Sequence, residues 1–396
     1  MSEWTKVKLK DCCHSISDGD HSPPPKSDSG VPFVTIANID ATNHIDFGNT
    51  MFVPYEYYNN LNDIRKAKFN DILYSVVGSF GKPVLIKENK PFAFQRHIAI
   101  LRPNNGIVDS RFLYYVMLSR DFYMQADTVA IGAAQRTISL TALRNMEVEL
   151  PSMEIQHRIA TILSRYDSLI ENYQKQIKLL EEAAQRLYKE WFVDLRFPGH
   201  ENTNITNGVP EGWEKKPISQ LGEYLNGFAF KPSDWQKSGK PIIKIKEMGN
   251  GVSNDTPRNN GERVPAKYLV KAGDLLFSWS ATLMVIVWSG EEGWLNQHLF
   301  KVTPSKGIER EFLLQSISNT IEEFQNLTTG STMKHIQRNK LDQVFVNVPN
   351  DEIMKRYSSI AEKKRTEILH LSSQIRLLSE ARDRLLPKLM GGEIKF

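Results

Sequence analysis

The sequence predicts an α+β fold in which two tandem, mostly-β domains are each followed by a long helix. The first observation is a repeated helical phrase, IKLLEEAAQRL at residues 177–187 and IRLLSEARDRL at 375–385, separated by 198 residues in a chain of 396. The second is that short segments rich in Val, Ile, Phe and Tyr alternate with turn residues upstream of each phrase. The chain is therefore predicted to be an internal duplication.

The alignment of the two halves divides each repeat into a variable part and a fixed part. From Gly132 onward the offset is a constant 198, which pairs Gly132 with Gly330 and Pro151 with Pro349. Upstream the offset drifts to 209, as it does when loops differ in length. We therefore predict a first variable domain over residues 1–150, a central helix over 151–196, a linker over 197–212, a second variable domain over 213–348 and a C-terminal helix over 349–396.

Each variable domain has its own predicted strands and one short helix. The strands of the first domain are assigned to VPFVTIANID, DILYSVVGS and HIAILRP, and those of the second to KPIIKIKEM, DLLFSWSATLMVIVW and HLFKVTP. The short helices are assigned to SRFLYYVMLS and EREFLLQSIS. The Asn-, Gly- and Pro-rich segment FPGHENTNITNGVPEGW marks the start of the second repeat.

The last segment of each repeat carries apolar residues at steps of three and four, which is typical of a long amphipathic helix. Ser152 and Asn350 precede the two stripes as N-caps, and Pro387 should end the second helix near Leu386. The first helix spans about 38 residues, or roughly 57 Å at 1.5 Å per residue. One globular domain cannot cover a stripe of this length, so we predict that the two helices pair as a coiled coil within the chain. The residues assigned to helix packing or partner contact are Ile155, Ile159, Ile162, Leu169, Ile177, Leu180, Leu187, Trp191, Phe192, Ile353, Tyr357, Ile360, Leu371, Ile375, Leu378 and Leu385.

Composition limits the location and chemistry of the chain. The only two cysteines, Cys12 and Cys13, are adjacent, so they neither staple distant segments nor form a zinc set. No apolar leader and no apolar run of ~18 residues occurs, so we expect a cytoplasmic protein that does not span a membrane. The net charge of +4 neither indicates nor excludes a nucleic-acid partner.

Three short patterns suggest catalysis or metal binding, and each has a simpler interpretation. HSISDGDH at 14–21 has His and Asp at ligand-like spacing, but it is also typical of a polar loop and has no counterpart in the second repeat. SPPPK at 22–26 resembles the [NDS]PP[aromatic] signature of amino-methyltransferases, but Pro25 replaces the aromatic residue and no G-x-G loop lies nearby. Asp71 with Glu88 and Lys90 resembles the carboxylate and lysine set of a metal-dependent nuclease. The second repeat keeps Asp274 without the Glu-x-Lys, so the aspartates are better explained as turn residues. We predict no metal site and no catalytic residue, and a stand-alone nuclease or methyltransferase remains an alternative.

The paired stretches GAAQRTISLTAL at 132–143 and GSTMKHIQRNKL at 330–341 are the candidates for DNA contact. In each, glycine and small residues precede long hydrogen-bond donors, a pattern that suits phosphates and base edges. A solvated loop with no ligand would have the same composition. The candidate DNA-binding residues are Gln135, Arg136, Lys334, His335 and Arg338, with Lys82, Arg96, Gln297 and His298 as further candidates.

Two variable domains, two matched helices, and the segments PSMEIQHRIATIL, EAAQRLYKEWFVDLRFPG and LLPKLMGGEI together resemble the specificity subunit of type I restriction-modification enzymes. In that family each variable domain is a target-recognition domain that reads one half of a bipartite DNA site. The resemblance implies an antiparallel helical spacer with pseudo-twofold symmetry that docks two adenine-N6 methyltransferase subunits, joined by a translocating nuclease subunit. The second repeat departs from the pattern at Met354, where the first has Gln156.

The same resemblance implies that this chain is a non-catalytic subunit without a cofactor. S-adenosylmethionine, ATP and Mg²⁺ would then belong to its partner subunits. A coiled-coil scaffold with no DNA role is the alternative from another class of protein. Residues 1–150 carry 16 basic and 16 acidic side chains, and this electrical neutrality is compatible with either function.

Overall fold

The computed structural model describes residues 4–40, 42–133, 135–327 and 338–394. The chain divides into two compact units, Met1–Ile170 with Leu378–Phe396, and Glu171–Leu377. Each unit contains one variable domain and a part of both long helices. A domain boundary therefore falls within each helix and not at its end.

The first unit is built on two larger sheets, a separate two-stranded sheet and several short helices. Its strands are β1 Thr5–Lys8, β2 Cys13–Asp18, β3 Val31–Val34, β4 Met51–Val53, β5 Ile72–Ser75, β6 Pro83–Leu85, β7 Ala93–Phe94, β8 Ile98–Pro103 and β9 Glu147–Leu150. Its short helices are α1 Leu9–Cys12, α2 Tyr55–Asn60, α3 Ser110–Leu118, α4 Arg120–Val129 and α5 Leu140–Asn145. The main sheet is antiparallel with strand order β2-β8-β5-β6, and the smaller sheet β4-β3-β7 is mixed.

Sequence explains why this sheet is the centre of the unit. The strands β5 and β8 are almost wholly apolar, and their side chains are buried on both faces. One face packs under α3 through Phe112 and Leu113, and the other packs against the smaller sheet through Val34 and Phe94. The helix α3 predicted from SRFLYYVMLS is confirmed and is capped by the carboxylate of Asp109. The second helix α4 was not predicted.

The second unit repeats this plan. Its strands are β10 Ile205–Thr206, β11 Val209–Pro210, β12 Glu214–Pro217, β13 Gly222–Asn226, β14 Lys240–Ile243, β15 Arg258–Asn259, β16 Leu269–Val270, β17 Leu275–Ser278, β18 Met284–Val287, β19 Gly293–Leu295, β20 Leu299–Pro304 and β21 Phe345–Val348. Its short helices are α7 Ile245–Asn250, α8 Arg310–Asn319 and α9 Ile321–Asn326. The main sheet has the order β13-β20-β17-β18 and the smaller sheet β15-β14-β19-β16.

The two units match strand for strand in their main sheets. Ile72 pairs with Leu101 in the first unit, and Leu275 pairs with Val302 at the corresponding place in the second. In each unit the first strand also closes onto the last, because β1 pairs with β9 and β12 pairs with β21. The predicted α+β duplication is therefore confirmed. The segment predicted as a linker is packed locally, since Phe197 lies 4.6 Å from Trp213 between ring centroids.

The two long helices are α6, Met153–Tyr188, and α10, Asp351–Met390. Both predicted caps are present: the Ser152 hydroxyl accepts from the Ile155 N–H at 3.5 Å, and the Asn350 side chain accepts from the Ile353 N–H at 3.0 Å. A π-helical turn, Lys189–Val193, follows α6. None of the helices in the described ranges is long and apolar enough to cross a membrane.

The predicted end of the second helix at Leu386 is wrong, because α10 continues through Pro387 to Met390. A proline within a helix lacks the N–H that would bond to the carbonyl four residues earlier, so continuing the helix through Pro387 costs free energy that another contact must offset. Leu389 is fully buried in the core of the first unit, which favours continuing the helix by one turn. The Pro387 carbonyl then accepts from the Gly391 N–H at 2.8 Å, and Gly392 leaves the helix with φ +68°.

Within each unit the segments of α6 and α10 run antiparallel. In the first unit Asp167 pairs with Arg382 while Leu163, one turn earlier, shares a core with Leu389. In the second unit Tyr188 lies 6.4 Å from Tyr357 between ring centroids, and the earlier residue Glu181 lines one cavity with the later residue Arg365. Residue numbers rise along one helix as they fall along the other, as the family resemblance implied.

The apolar stripe was predicted with two errors. Leu169 and Ile360 are 42% and 39% exposed, while Ile170 and Ala361 beside them are buried. The helices bury a broader face than a coiled-coil seam because each also packs on its own domain. The stripe residues that are buried are Ile159, Trp191, Phe192, Ile353, Tyr357 and Leu371, and those that are partly buried are Ile155, Ile162, Ile177, Leu180, Leu187, Ile375, Leu378 and Leu385.

Candidate nucleic-acid interface

Three loops meet at one end of the main sheet in the first unit, and they carry four of the candidate DNA-binding residues. Backbone hydrogen bonds join Val76 to the His97 carbonyl at 2.9 Å and Gly78 to the Arg136 carbonyl at 2.9 Å. The loops after β5, between β7 and β8, and before α5 are thereby held together. The structure thus brings Lys82, Arg96, Gln135 and Arg136 to one surface.

Arg136 is held by its own domain. Its guanidinium donates to the Asp127 side chain, to the Asp127 carbonyl and, at 3.3 Å, to the Ala130 carbonyl at the end of α4. It also lies over the Phe80 ring at 5.4 Å, and Phe80 stacks on Tyr123 at 5.8 Å. These contacts anchor the loop, so the DNA contact assigned to Arg136 would have to compete with them. That assignment stays a prediction.

Two of the other three candidates in this unit are more accessible than Arg136. Arg96 and Gln135 are exposed, and within the described residues Arg96 has no ion pair. Lys82 is partly buried, and its ammonium group donates to the Ile39 carbonyl at 3.4 Å. Long side chains with free donors at loop tips are suited to contact phosphates or base edges.

In the second unit, Gln297 and His298 follow β19 at the corresponding end of the sheet. Gln297 accepts from the Asn296 side-chain amide at 2.6 Å, and Nδ1 of His298 lies 3.2 Å from the Ser280 hydroxyl. The Trp279 ring lies 5.8 Å from His298. Arg338 is exposed at the start of the short helix Arg338–Asp342, whereas Lys334 and His335 lie outside the described residues.

The two units hold these loops with the same backbone arrangement, which we call the frame. It consists of a glycine, Gly19 or Gly227, packed against the loop that follows β7 or β19. Gly19 crosses the loop after β7 so closely that a Cβ there would lie 2.1 Å from the Phe94 carbonyl oxygen. Gly227 crosses at the equivalent place, where a Cβ would lie 2.1 Å from the Asn296 carbonyl oxygen. The next backbone hydrogen bond also matches. The Ile98 N–H donates to the Gln95 carbonyl at 3.0 Å, and the Leu299 N–H donates to the Asn296 carbonyl at 3.0 Å. The frame is the same in both units, but Arg96 in one is replaced by a glutamine in the other.

A polar cluster beside the first frame was not identified as a site from the sequence. The Tyr57 hydroxyl donates to Asp20 at 2.6 Å, and Arg65 lies 3.5 Å from Asp20 and 3.7 Å from Asp18. Burial alone would raise the pKa of Asp20, but the hydrogen bonds from Tyr57 and nearby N–H groups, with Arg65, hold it below its usual range. The polar loop HSISDGDH was the only signal in the sequence, and its partners are distant along the chain.

The predicted turn role of the repeated aspartates has direct support. The Asp71 carboxylate is buried, accepts from the Lys68 N–H at 2.9 Å and pairs with Arg102 at 2.9 Å. Asp274 accepts from the Lys271 N–H at 2.8 Å in the same turn of the second unit. Among the described residues no group of three or more His, Cys, Asp and Glu side chains is arranged to hold a metal ion.

Gln156, where the repeats differ, is an internal residue. It is 1% exposed, accepts from the Asp109 N–H at 2.9 Å and donates to the carbonyls of Pro151 at 2.9 Å and Ile107 at 3.3 Å. It therefore connects the start of α6 to the start of α3. Its counterpart Met354 lies in the apolar core of the second unit. The exchange of Gln156 for Met354 therefore concerns internal packing.

The chain thus contains two tandem domains with one loop frame and different side chains on it, joined by paired helices. A family model described as the type I restriction modification DNA specificity domain matches residues 1–182 and again residues 210–375. The chain belongs to this family and carries two copies of its domain. This membership confirms the predictions of a non-catalytic specificity subunit that binds DNA within a restriction-modification complex.

Individual relatives agree with this membership. The chain is 24% identical to the type I restriction enzyme HindI specificity subunit of Haemophilus influenzae, over 100% of both chains. It is 25% identical to the MjaIX specificity subunit of Methanocaldococcus jannaschii, over 74% of this chain and 71% of that one. The crystal structure of the type I restriction-modification S subunit from M. genitalium is similar with a TM-score of 0.56 and 16% identity. That match covers 98% of this chain and 96% of that chain, and it confirms the fold.

Proposed function

We propose that each unit reads one half of a bipartite double-stranded DNA target through the loops at the end of its main sheet. The observation that carries this proposal is the shared frame with different side chains. Gly19 and Gly227 hold the loop in the same way in both units, but the equivalent loop position carries Arg96 in the first unit and Gln297 in the second. The two units can therefore present different hydrogen-bond donors at one position. Arginine pairs preferentially with guanine and glutamine with adenine in the major groove, so the two halves of the target would differ.

The charge of the domains suggests how the DNA is held. Residues 1–150 are electrically neutral, with 16 basic and 16 acidic side chains. Non-specific affinity for DNA comes mostly from lysine and arginine contacts with phosphates. We therefore propose that much of the affinity comes from partner subunits that enclose the DNA, while this chain supplies the choice of sequence.

We propose that two identical methyltransferase subunits dock on the long helices. The support is that exposed leucines recur at repeat-equivalent positions of the two helices. Leu179 and Leu377 are repeat equivalents and are 62% and 48% exposed, and the basic residues Lys178 and Arg376 precede them. Matching outer surfaces suit two copies of one partner. A translocating nuclease subunit would join this assembly.

The cofactors of the system follow from that division of labour. S-adenosylmethionine would be bound by the methyltransferase subunits, and ATP and Mg²⁺ by the translocating nuclease. The helices would fix the gap between the two half-sites, since α6 extends over 36 residues and a helix rises 1.5 Å per residue, for about 54 Å in all. As a DNA-reading subunit, the chain would act in the cytoplasm.

The test uses the chain assembled with its methyltransferase partner and two single variants, Arg96→Ala and Gln297→Ala. Methylation of a DNA library randomised at both half-sites is read by sequencing. Each variant should relax one position of one half-site only, with a loss of discrimination of about 1–3 kcal/mol, or roughly 5- to 150-fold. The exposed Lys90→Ala, away from the frame, is the matched control and should leave both half-sites unchanged.

Two outcomes would refute the proposal. If both variants relax the same half-site, the units do not read separate halves. If neither variant changes any position although the complexes assemble and methylate normally, the frame loops are not the reading surface.

A further inference from the structure

The long helices carry opposite charges at repeat-equivalent positions. Asp167 of α6 and Arg365 of α10 are 198 residues apart and therefore equivalent. The Asp167 carboxylate accepts from the Tyr115 hydroxyl of α3 at 2.5 Å. The Arg365 guanidinium donates to both carboxylate oxygens of Glu311 in α8 at 3.1 Å. Each charge is thus fixed in position by the short helix of its own domain.

Each of these charges also lies near an opposite charge on the other long helix, in contact in the first unit and across a shared cavity in the second. In the first unit Asp167 pairs with Arg382 of α10 at 2.8 Å, and both side chains are mostly buried. In the second unit Glu181 of α6 and Arg365 of α10 line the same cavity. Burial raises the pKa of the Glu181 carboxyl, and the Arg365 guanidinium acts against this, as a nearby cation does. Helix pairing within the chain therefore joins unlike charges in both units.

The 198-residue equivalence of the two helices shows which residues would face each other if two copies of α6 paired in the place of α6 and α10. The α10 residue that faces Asp167 is Arg382, and its equivalent in α6 is Ala184. Glu181 is the equivalent of Ser379 in α10. Two copies of α6 in the same antiparallel register would place Asp167 beside Glu181 and Ala184 of the other copy. Two negative charges would then face each other, twice, because the arrangement is symmetric.

Two copies of the second helix would meet the opposite problem. In the same register Arg365 would face Ser379 and Arg382 of the other copy. Two positive charges would face each other, again twice. Unlike helices therefore bring together two attractive pairs, and like helices bring together two repulsive ones.

We propose that these charges form a pairing code by which the first helix selects the second helix of the chain and rejects a copy of itself. Over the repeated phrase the apolar stripes of the two helices are too similar to make this choice, since Ile177, Leu180 and Leu187 recur as Ile375, Leu378 and Leu385. The charges therefore add to the selection made at the aromatic end, where Trp191 packs on Tyr357. Charges that are held by Tyr115 and Glu311 cannot turn away from a wrong partner, so the penalty is not relieved by a change of rotamer. The code concerns the assembly of the chain and does not depend on which DNA is read.

The test removes the covalent link after folding. A protease site is inserted in the exposed turn at Asn207 and Gly208, because exposed turns generally accept insertions, and the purified full chain is cut there so that every residue remains present. Incubation then allows the halves to exchange, and native mass spectrometry counts pairs of unlike and like halves. The wild-type chain should form almost only unlike pairs.

The decisive variant exchanges the two charges, Asp167→Arg with Arg382→Asp. The opposite-charge pair within the chain is kept. In a pair of first helices the new arginine would lie beside Glu181, and in a pair of second helices the new aspartate would lie beside Arg365. The uncut variant should melt somewhat below the wild type, because the substituted arginine cannot accept from the Tyr115 hydroxyl. The proposal expects its cut halves to form like pairs at a ratio about tenfold higher than the wild type. A purely structural salt bridge predicts the wild-type ratio, which would overturn the proposal.

A second variant guards against failure of the first to fold. Glu181→Lys places a lysine beside Asp167 in pairs of first halves and should raise those pairs, and the second halves that they release should appear in equal number as free halves or as like pairs. The matched control exchanges the exposed ion pair on the outer face of the same helix, Glu154→Arg with Arg158→Glu, and should leave the ratio unchanged. An unchanged ratio in Glu181→Lys, or an equal rise in the control, would contradict the code.

Discussion

Removal of Arg365 should destabilise the protein more than removal of any exposed charge. Glu311 is 1% exposed and the Arg365 side chain 7%, so the substitution Arg365→Ala leaves a carboxylate buried without its main partner. Breaking such a pair costs about 3–5 kcal/mol. Arg310 still donates to Glu311 at 3.3 Å, which places the expected loss at the lower end, about 3 kcal/mol. For a unit of this size that corresponds to a fall in Tm of about 6–12 °C.

The assay is urea unfolding and differential scanning calorimetry of the full chain. Because burial raises the pKa of Glu311 and the arginines act against it, the carboxyl in Arg365→Ala should take up a proton more readily than in the wild type. The difference in the free energy of unfolding between the wild type and Arg365→Ala should therefore become smaller as the pH falls. The double substitution Arg365→Met with Glu311→Leu should recover most of the loss, since it removes both buried charges.

Two results would refute this reasoning. One is a loss below about 1 kcal/mol in Arg365→Ala, which is the range of an exposed pair such as Arg356 with Glu352. The other is a double variant no more stable than Arg365→Ala. Either would mean that the Glu311 carboxylate is not buried as the structure places it.

Three further predictions concern the frame and the helix starts. Gly227→Ala should lower the free energy of unfolding, measured by thermal melting, by about 2 kcal/mol or more, because a Cβ would lie 2.1 Å from a backbone oxygen. The control Gly106→Ala should be almost neutral, since the nearest atom to its Cβ would be 3.4 Å away in a flexible side chain. Gln156→Met should cost about 2 kcal/mol in urea, since it strips a buried N–H and two carbonyls of their partner, and a neutral result would contradict the role given to this amide. The lowered pKa of Asp20 means that its contacts stabilise the fold above the usual carboxyl pKa and lose this effect as the pH falls through the lowered value. Tyr57→Phe should therefore lower the Tm more near neutral pH than at pH ~3, and an equal drop at both would show that the hydroxyl does not act through this carboxylate.

The repeat and the helices could be predicted because they leave regular patterns in the sequence. A constant 198-residue offset, two caps and a periodic stripe were sufficient to place α6 and α10. The errors at Leu169 and Ile360 arose because periodicity gives the centre of an apolar face but not its width. That width depends on the domain that packs beside the helix. Likewise, the local rule for Pro387 could not include the burial of Leu389 in a core formed by residues more than 200 positions earlier.

The candidate interface was predicted less completely, because its contacts are formed between distant segments. Sequence reasoning selected Arg96 and Gln135, which are exposed at the frame, but could not show that the Arg136 guanidinium is held at the end of α4. The pair of Asp20 and Tyr57 joins residues 37 positions apart and leaves no local pattern. The shared glycine crossings also became visible only when the two units were compared in three dimensions.

The central claim is that two readers with separate targets lie on one chain, and domain exchange tests it most directly. The chain is co-expressed with its methyltransferase partner, and N6-methyladenine is mapped across the genome by single-molecule sequencing. The second variable domain, residues 213–348, is then replaced by that of another specificity subunit. We expect a split methylated motif with a fixed gap, in which the exchange alters one half and leaves the other half and the gap unchanged. A motif that changes on both sides, or a continuous motif without a gap, would contradict the account.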